Sequence, residues 1–250
     1  MSAPSNGIRT LGPAINEPVR QYAPGTPERA ELKARLAAMQ KECPEIPLVI
    51  GGEEIRTGDI ANAVSPHTHR HVTAKWHKAR QKDVVAAIAA ARKAQREWAS
   101  WRWEDRAAVL LRAADLLSTS WRSTIVASTM LGQSKTAFQA EIDAGPELID
   151  FWRFNVQFAG EIYADQPVQA TGMTNQIDYR GLEGFVYAVS PFNFTAIGGN
   201  LPTAAALMGC TVVWKPAGTA ILSAWHTMQL LREAGMPPGV INFVPGNAAT

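Results

Sequence analysis

The 250-residue chain has only two cysteines, Cys43 and Cys210, far apart in sequence. That leaves no disulfide framework, and both thiols are expected to be reduced and at least partly buried. No stretch reaches the roughly 18 consecutive apolar residues of a membrane-spanning helix. The first residues lack a basic segment followed by an apolar core, and Glu17 dilutes Arg9 and Arg20. Neither a secretory signal nor a transit peptide is therefore expected. Charge of one sign is also missing. Twenty-four Lys and Arg stand against 22 Asp and Glu, a net of +2, which gives no footprint for nucleic acid or an anionic membrane. These absences point to a cytoplasmic protein. A GxGxxG turn, a P-loop, HExxH and GxSxG are absent too, so on motif alone the case for a dinucleotide is weak.

What remains is an ordinary globular composition, 46% apolar and 18% charged, long enough for one large or two ordinary domains. Residues 1–26 are proline-containing and aperiodic, and read as an arm lying over another surface. Thr26, Pro27 and Glu28 then start a helix, as cap, first-turn proline and first-turn acid, that runs to about Lys41. Residues 48–55 read as a hairpin turning at Gly51-Gly52. Residues 64–76 continue extended, and alternation puts His67, His69 and His71 on one face. No Cys, Asp or Glu is interleaved with them, so they read as a solvated strand face and not as a metal site. Apolar stripes at helical spacing mark helices over 81–98 and 101–120, and a third from Trp121 to about Gly132. Residues 133–160 are helical, with a kink or break at Gly145-Pro146. Glu141 lies in this helix beside Ala140, Ile142 and Ala144 and, on pattern alone, faces solvent. Phe151, Trp152, Phe154 and Phe158 read as core packing. Residues 164–174 form a loop, 175–180 a short strand and 180–184 a turn.

Residues 185–215 organise the rest. A β-rich run at 185–189 is broken by Ser190-Pro191. A small-residue helix covers about 201–208, and a second β-branched run at 211–214 closes on Lys215-Pro216. A further helix over 220–234 and a strand over 240–244 complete a βαβαβ pattern, half of a doubly wound α/β domain with parallel strands. Ligands in such sheets bind at the carboxyl ends of the strands, here residues 190–193 and 215–218.

Three blocks carry a resemblance: Ser190-Pro191-Phe192-Asn193-Phe194, Trp214-Lys215-Pro216-Ala217, and the segment from Glu233 to Asn242. They resemble signatures of the aldehyde dehydrogenase superfamily. Residues 130–135, 139–144 and 147–155, with Asn16-Glu17-Pro18-Val19 and Tyr22-Ala23-Pro24-Gly25, are similar to its 1-pyrroline-5-carboxylate (L-glutamate γ-semialdehyde) dehydrogenase branch. The resemblance implies an aldehyde dehydrogenase-like α/β fold. Residues 1–47 would be an N-terminal arm and helix, and 48–174 the helical part of an NAD-binding domain. Residues 175–184 would be a subunit-joining hairpin segment, and 185–250 the first half of a Rossmann-like core. It implies NAD-dependent oxidation of a small-molecule substrate, L-glutamate γ-semialdehyde, to L-glutamate in proline breakdown, by a homo-oligomer.

Residue by residue, the resemblance makes Asn193 the oxyanion donor. Ser190, Pro191, Phe192, Lys215 and Gly218 become cofactor-side positions, with Lys215 on the adenosine ribose. Phe192 and Phe194 become aromatics along the aldehyde passage, with packing an equal alternative. Glu141 becomes a carboxylate at the substrate entrance. Two departures stand out. Gly218 occupies a position where the family often has a ribose-gripping acid, which puts strict NAD preference in question, and Gly145-Pro146 interrupts the helix of Glu141. The family's nucleophilic cysteine, general-base glutamate and phosphate loop all follow the third strand, and neither Cys43 nor Cys210 has a matching context. The 250 residues alone are therefore expected to be inactive. A non-catalytic fragment and another aldehyde dehydrogenase branch stay open as alternatives.

Overall fold

A computed structural model describes residues 12–250. The part of the arm over residues 1–11 lies outside the described residues. Helix α1 (Pro27–Met39) starts where its capping residues predict. Short strands β1 (Glu45–Ile46), β2 (Leu48–Ile50) and β3 (Glu53–Ile55) follow. Strands β2 and β3 form the expected hairpin, closing Ile50 on Glu53. Its turn residues, Gly51 and Gly52, both take positive φ, which a two-residue hairpin turn requires.

The next segment departs from the sequence reading. It is a second hairpin, β4 (Ile60–Ser65) and β5 (Thr68–His77), that turns at residues 66–67. Pro66 has no N–H for a ladder and ends β4. His67 therefore sits in the turn, away from the strand face of His69 and His71. Strand β1 adds to the other edge of β5 in parallel.

Helices α2 (Gln81–Ser100), α3 (Trp103–Ser118) and α4 (Arg122–Gln133) follow the apolar stripes. Then α5 (Ala137–Ile142) passes through a π-helical turn, Asp143–Glu147, into α6 (Leu148–Ala164). The expected break at Gly145-Pro146 is this widened turn, a pattern that tolerates the missing N–H of Pro146 inside a helix. No strand forms over 175–180, and 175–184 contains no hairpin. Side chains take the place of a partner strand there: Gln169 Oε1 accepts from Asn175 N at 2.8 Å, and Gln166 Oε1 from Ile177 N at 2.8 Å.

The βαβαβ unit is present as β6 (Phe185–Val189), α7 (Thr195–Leu207), β7 (Thr211–Lys215), α8 (Ile221–Glu233) and β8 (Ile241–Phe243). All three strands are parallel. Helix α7 begins at Thr195, earlier than the start expected near residue 201. Gly198-Gly199 fall before the helix expected from sequence. In the fold Gly199 lets α7 approach α6, since a Cβ there would lie 2.8 Å from Leu148 Cδ1.

The sheet order is β3-β2-β8-β7-β6, so the first hairpin extends the parallel strands at the β8 edge. Alternation along β7 splits its side chains between two layers. Val213 packs with Ala87 and Ala91 of α2, whereas Val212 and Trp214 join the main core with α6, α7 and α8. Three fully or nearly fully buried indoles each find a hydrogen-bond acceptor, as burial of an N–H demands. Trp98 donates to Ala206 O (2.7 Å), Trp152 to Thr203 Oγ1 (2.9 Å) and Trp214 to Ser190 Oγ (2.9 Å). All three bonds converge on α7 or on the loop that leads into it.

Candidate active site

Strands β6 and β7 end side by side, with Val189 opposite Lys215. The chain leaving β6 is fixed at once. Ser190 N donates to Lys215 O at 3.1 Å, and its buried hydroxyl receives the Trp214 indole. Ser190 keeps its carbonyl, its hydroxyl proton and one hydroxyl lone pair for further contacts. The far end of the loop is fixed at Thr195. Asp143, in the π-helical turn, accepts from Thr195 N (3.0 Å) and Ala196 N (2.9 Å). The Thr195 hydroxyl pairs with Thr129 Oγ1 (2.8 Å) and accepts from Gln133 Nε2 (2.7 Å). Lys135 Nζ reaches Asp143 Oδ2 at 2.6 Å and stands 4.3 Å from the centroid of the Phe194 ring.

Pro191, Phe192 and Asn193 are strung between these anchors. Phe192 is 66% exposed. Asn193 is exposed, and among the described residues its side-chain amide has no hydrogen-bond partner. A neutral donor on a loop anchored at both ends, with its N–H groups free, suits stabilisation of a developing oxyanion. The fold thus gathers Ser190, Pro191, Phe192, Asn193, Phe194 and Lys215 at one end of the parallel sheet.

Lys215 is half-buried, and its ammonium also lacks a partner among the described residues. It borders a cleft of about 450 Å³ walled by Phe185, Tyr187, Val213, Val244 and Gly246. An apolar cleft with one cation at its rim has the chemistry to take a flat ring joined to a hydroxylated sugar. Gly218 follows in the next turn. A Cβ there would lie 2.7 Å from Trp76 Cζ2, so the β5 indole occupies the space that an acidic side chain needs. The missing carboxylate is thus built into the packing, and Trp76 is a residue that sequence reasoning did not connect to the site.

Glu141 is elsewhere. It is fully buried, and neither a solvent-facing position nor a place at a substrate entrance describes it. Its carboxylate accepts from Arg122 Nε (3.1 Å) and Nη2 (2.5 Å), Tyr22 Oη (2.7 Å) and Arg20 N (2.8 Å). Burial works to raise its pKa, but the hydrogen bonds from Arg122 and Tyr22 outweigh it and hold the carboxyl below its ordinary range. The same burial and the same carboxylate push the Tyr22 hydroxyl well up. Arg122 reaches on to Glu17 (3.1 Å) and to Pro18 O (3.2 Å). Glu141 therefore clasps the N-terminal arm to α4 and α5 and has no lone pair to offer a ligand.

Near Asp143 and Lys135, at the end of the π-helical turn, stands Glu147, a carboxylate with no hydrogen-bond partner among the described residues. It is half-buried, and burial together with the neighbouring Asp143 raises its pKa against the opposing charge of Lys135. The thiols are remote. Cys43 is exposed beyond α1. Cys210 precedes β7, at the amino ends of the parallel strands, and burial raises its pKa. Asn193 lies past their carboxyl ends. Among the described residues no cluster of three His, Cys, Asp or Glu is arranged for a metal ion, and no helix is long and apolar enough to cross a membrane.

The chain is similar in sequence and fold to known proteins. The sequence pattern of the aldehyde dehydrogenase family matches residues 55–250. The chain is 51% identical over 240 residues to Delta-1-pyrroline-5-carboxylate dehydrogenase of Agaricus bisporus, covering 95% of this chain and 44% of that protein. It is 50% identical over 232 residues to the mitochondrial Delta-1-pyrroline-5-carboxylate dehydrogenase of Homo sapiens, covering 93% and 41%. The crystal structure of the Mycobacterium tuberculosis Delta-pyrroline-5-carboxylate dehydrogenase bound with NAD superposes with a TM-score of 0.95 at 52% identity, over 97% of this chain and 46% of that one. The chain thus spans less than half the length of these relatives. With the family pattern covering most of its residues, the chain belongs to the aldehyde dehydrogenase family.

Proposed function

We propose that this chain supplies the oxyanion donor and one side of the cofactor site of an NAD-dependent 1-pyrroline-5-carboxylate (L-glutamate γ-semialdehyde) dehydrogenase. One observation carries the reading. In a chain 51% identical to such an enzyme, Asn193 presents an unpartnered side-chain amide on a loop anchored at both ends. As the aldehyde carbonyl becomes tetrahedral, negative charge collects on its oxygen. The Asn193 amide donates to that oxygen, and because the loop is already fixed, little reorganisation is needed during the reaction. Removing one such donor from an acyl-transfer site costs roughly 100- to 1000-fold in kcat.

The residues at the strand ends suit NAD. Lys215 is free to donate to ribose hydroxyls, Tyr187 and Val213 wall the cleft that would take the adenine, and Pro191 and Phe192, on the loop after β6, would hold the rest of the cofactor. When bound, NAD supplies the hydride acceptor. Gly218 offers the ribose no carboxylate, so on this reading discrimination against a 2′-phosphate is weak. Glu147 takes the substrate-facing role once expected of Glu141, as the carboxylate available to a substrate ammonium. A cytoplasmic location and assembly as a homo-oligomer belong to the same reading, although several relatives are mitochondrial proteins.

The test is genetic and chemical. Deleting the gene that encodes this chain in its own host should abolish growth on proline as sole nitrogen source, with pyrroline-5-carboxylate accumulating. Extracts should lose NAD+-dependent oxidation of that compound. Unchanged growth together with unchanged extract activity would overturn the proposal.

A further inference from the structure

The π-helical turn between α5 and α6 buries a carboxylate against the amino end of α7. Asp143 is 3% exposed. It does not cap its own helix. Its two oxygens instead accept from the first two backbone N–H groups of α7, Thr195 at 3.0 Å and Ala196 at 2.9 Å. These groups have no partner within α7, and an anion beside them is favoured by the helix dipole. The same carboxylate holds Lys135 Nζ at 2.6 Å, and Lys135 stands over the Phe194 ring at 4.3 Å. The Asp143–Lys135 pair thus grips residues 194, 195 and 196 by backbone, ring and charge together. Asn193 is the next residue outward.

We infer that Asp143, with Lys135, is a positioning pair that sets the direction of the Asn193 amide. It acts through the amino end of α7 and touches no reacting atom. The inference rests on the oxyanion reading of Asn193 for its functional meaning, but its geometry stands without it. A helix α7 started by its Thr195 side chain alone would keep the hydroxyl bonds to Thr129 and Gln133, yet leave two backbone N–H groups buried and unpaired. The loop would then relax to satisfy them, and Asn193 would move with it. The widened turn is what permits the grip: Asp143 reaches across to α7 from within a continuous α5–α6 rod, and Glu141, one face away, is kept for the arm.

The experiment uses the 250-residue chain and measures no turnover, so its outcome does not depend on whether Asn193 is an oxyanion donor. Amide hydrogen exchange and side-chain NMR of the wild type are compared with Asp143→Asn and Lys135→Met. A hydrogen bond to a charged group holds an amide by enough that its loss accelerates exchange roughly tenfold to a hundredfold. In Asp143→Asn the Thr195 and Ala196 amides should exchange faster by that factor, while those of Val212 and Val213 in β7 keep their rates. The Thr195 and Ala196 amide protons should move upfield, and the Asn193 side-chain amide signals should sharpen towards those of a free asparagine. Lys135→Met keeps the carboxylate. It should free the Phe194 ring and shift the Asn193 amide signals, with a smaller change at Thr195 and Ala196. Exchange that rises equally in β7 would reduce Asp143 to a general stability residue and overturn the inference. So would Asn193 signals that stay put in both variants. If Asp143→Asn fails to fold, the Lys135→Met result decides by itself. Separately, loss of turnover on Asn193→Ala in the full-length enzyme tests the oxyanion reading, and its failure would leave the exchange result intact.

Discussion

Replacing Arg122 by methionine is the sharpest perturbation that the structure offers. Arg122 and Glu141 are each fully buried. Of the four hydrogen bonds that the Glu141 carboxylate accepts, Arg122 donates two, and Tyr22 and Arg20 N donate the others. Arg122→Met removes both charge-assisted bonds and leaves a carboxylate with no countercharge in contact. Breaking a buried pair in this way costs about 3–5 kcal/mol, most of it the price of an uncompensated charge. The double variant Arg122→Met/Glu141→Leu removes both charges, and a buried pair replaced by apolar groups is often near neutral. The double variant should therefore be more stable than Arg122→Met alone.

Urea unfolding followed by tryptophan fluorescence measures both. Trypsin cleavage after Arg20 reports the arm, which should open in Arg122→Met because Glu17 and Pro18 O lose the same guanidinium. The pH dependence has a definite sign. The folded Glu141 pKa lies below its reference of 4.5, so its stabilisation is complete above the carboxylate range. It is lost as pH falls through the folded pKa. The stability gap between wild type and Glu141→Gln should be constant above about pH 5 and shrink in acid. An Arg122→Met chain within about 1 kcal/mol of wild type, or a double variant worse than the sum of the singles, would refute the reasoning.

Three further outcomes follow from the packing. Gly145→Ala places a Cβ 2.6 Å from Arg122 Nε and should cost about 1–3 kcal/mol in urea unfolding by pushing the guanidinium off Glu141. Gly218→Glu collides with Trp76 and should destabilise by a similar amount, about 1–3 kcal/mol, with part of the loss recovered in Gly218→Glu/Trp76→Ala. An aromatic disulfide reagent at neutral pH should titrate one thiol quickly, the exposed Cys43, and Cys210 only slowly, because burial raises its pKa and hides it; equal rates would contradict the placement of Cys210.

Much of the scaffold was legible in the residues. The Thr26-Pro27 start, the Gly51-Gly52 turn and the β-branched runs at 185, 211 and 240 encode local geometry, and local geometry is what short-range chemistry determines. The carboxyl-end loop was legible for the same reason: apolar strands that stop at Ser190 and Lys215 mark a ligand edge. What was not legible depends on partners distant in sequence. Glu141 reads as a solvated acid until Arg122, 19 residues earlier, and the arm close over it. A signal did exist. Glu141 shares a helical stripe with Ala144 and Leu148, and Arg122 one with Ile125, Val126 and Thr129, so both charges fall on buried faces. Gly199 falls outside the helix expected from sequence because intrinsic propensity counts against glycine, whereas close packing of α7 on α6 requires it. The strand expected over 175–180 failed because no neighbouring strand pairs with it, and the side chains of Gln166 and Gln169 take its N–H groups instead.

The central claim is that the carboxyl ends of β6 and β7 form one side of a nicotinamide-dinucleotide site, and saturation-transfer NMR of NAD+ with the 250-residue chain tests it most directly. Saturation of protein methyl groups should reach the adenine and adenosine-ribose protons, and Lys215→Ala should abolish the transfer while leaving the fold intact. Absence of transfer to NAD+, or transfer that survives Lys215→Ala unchanged, would contradict the account.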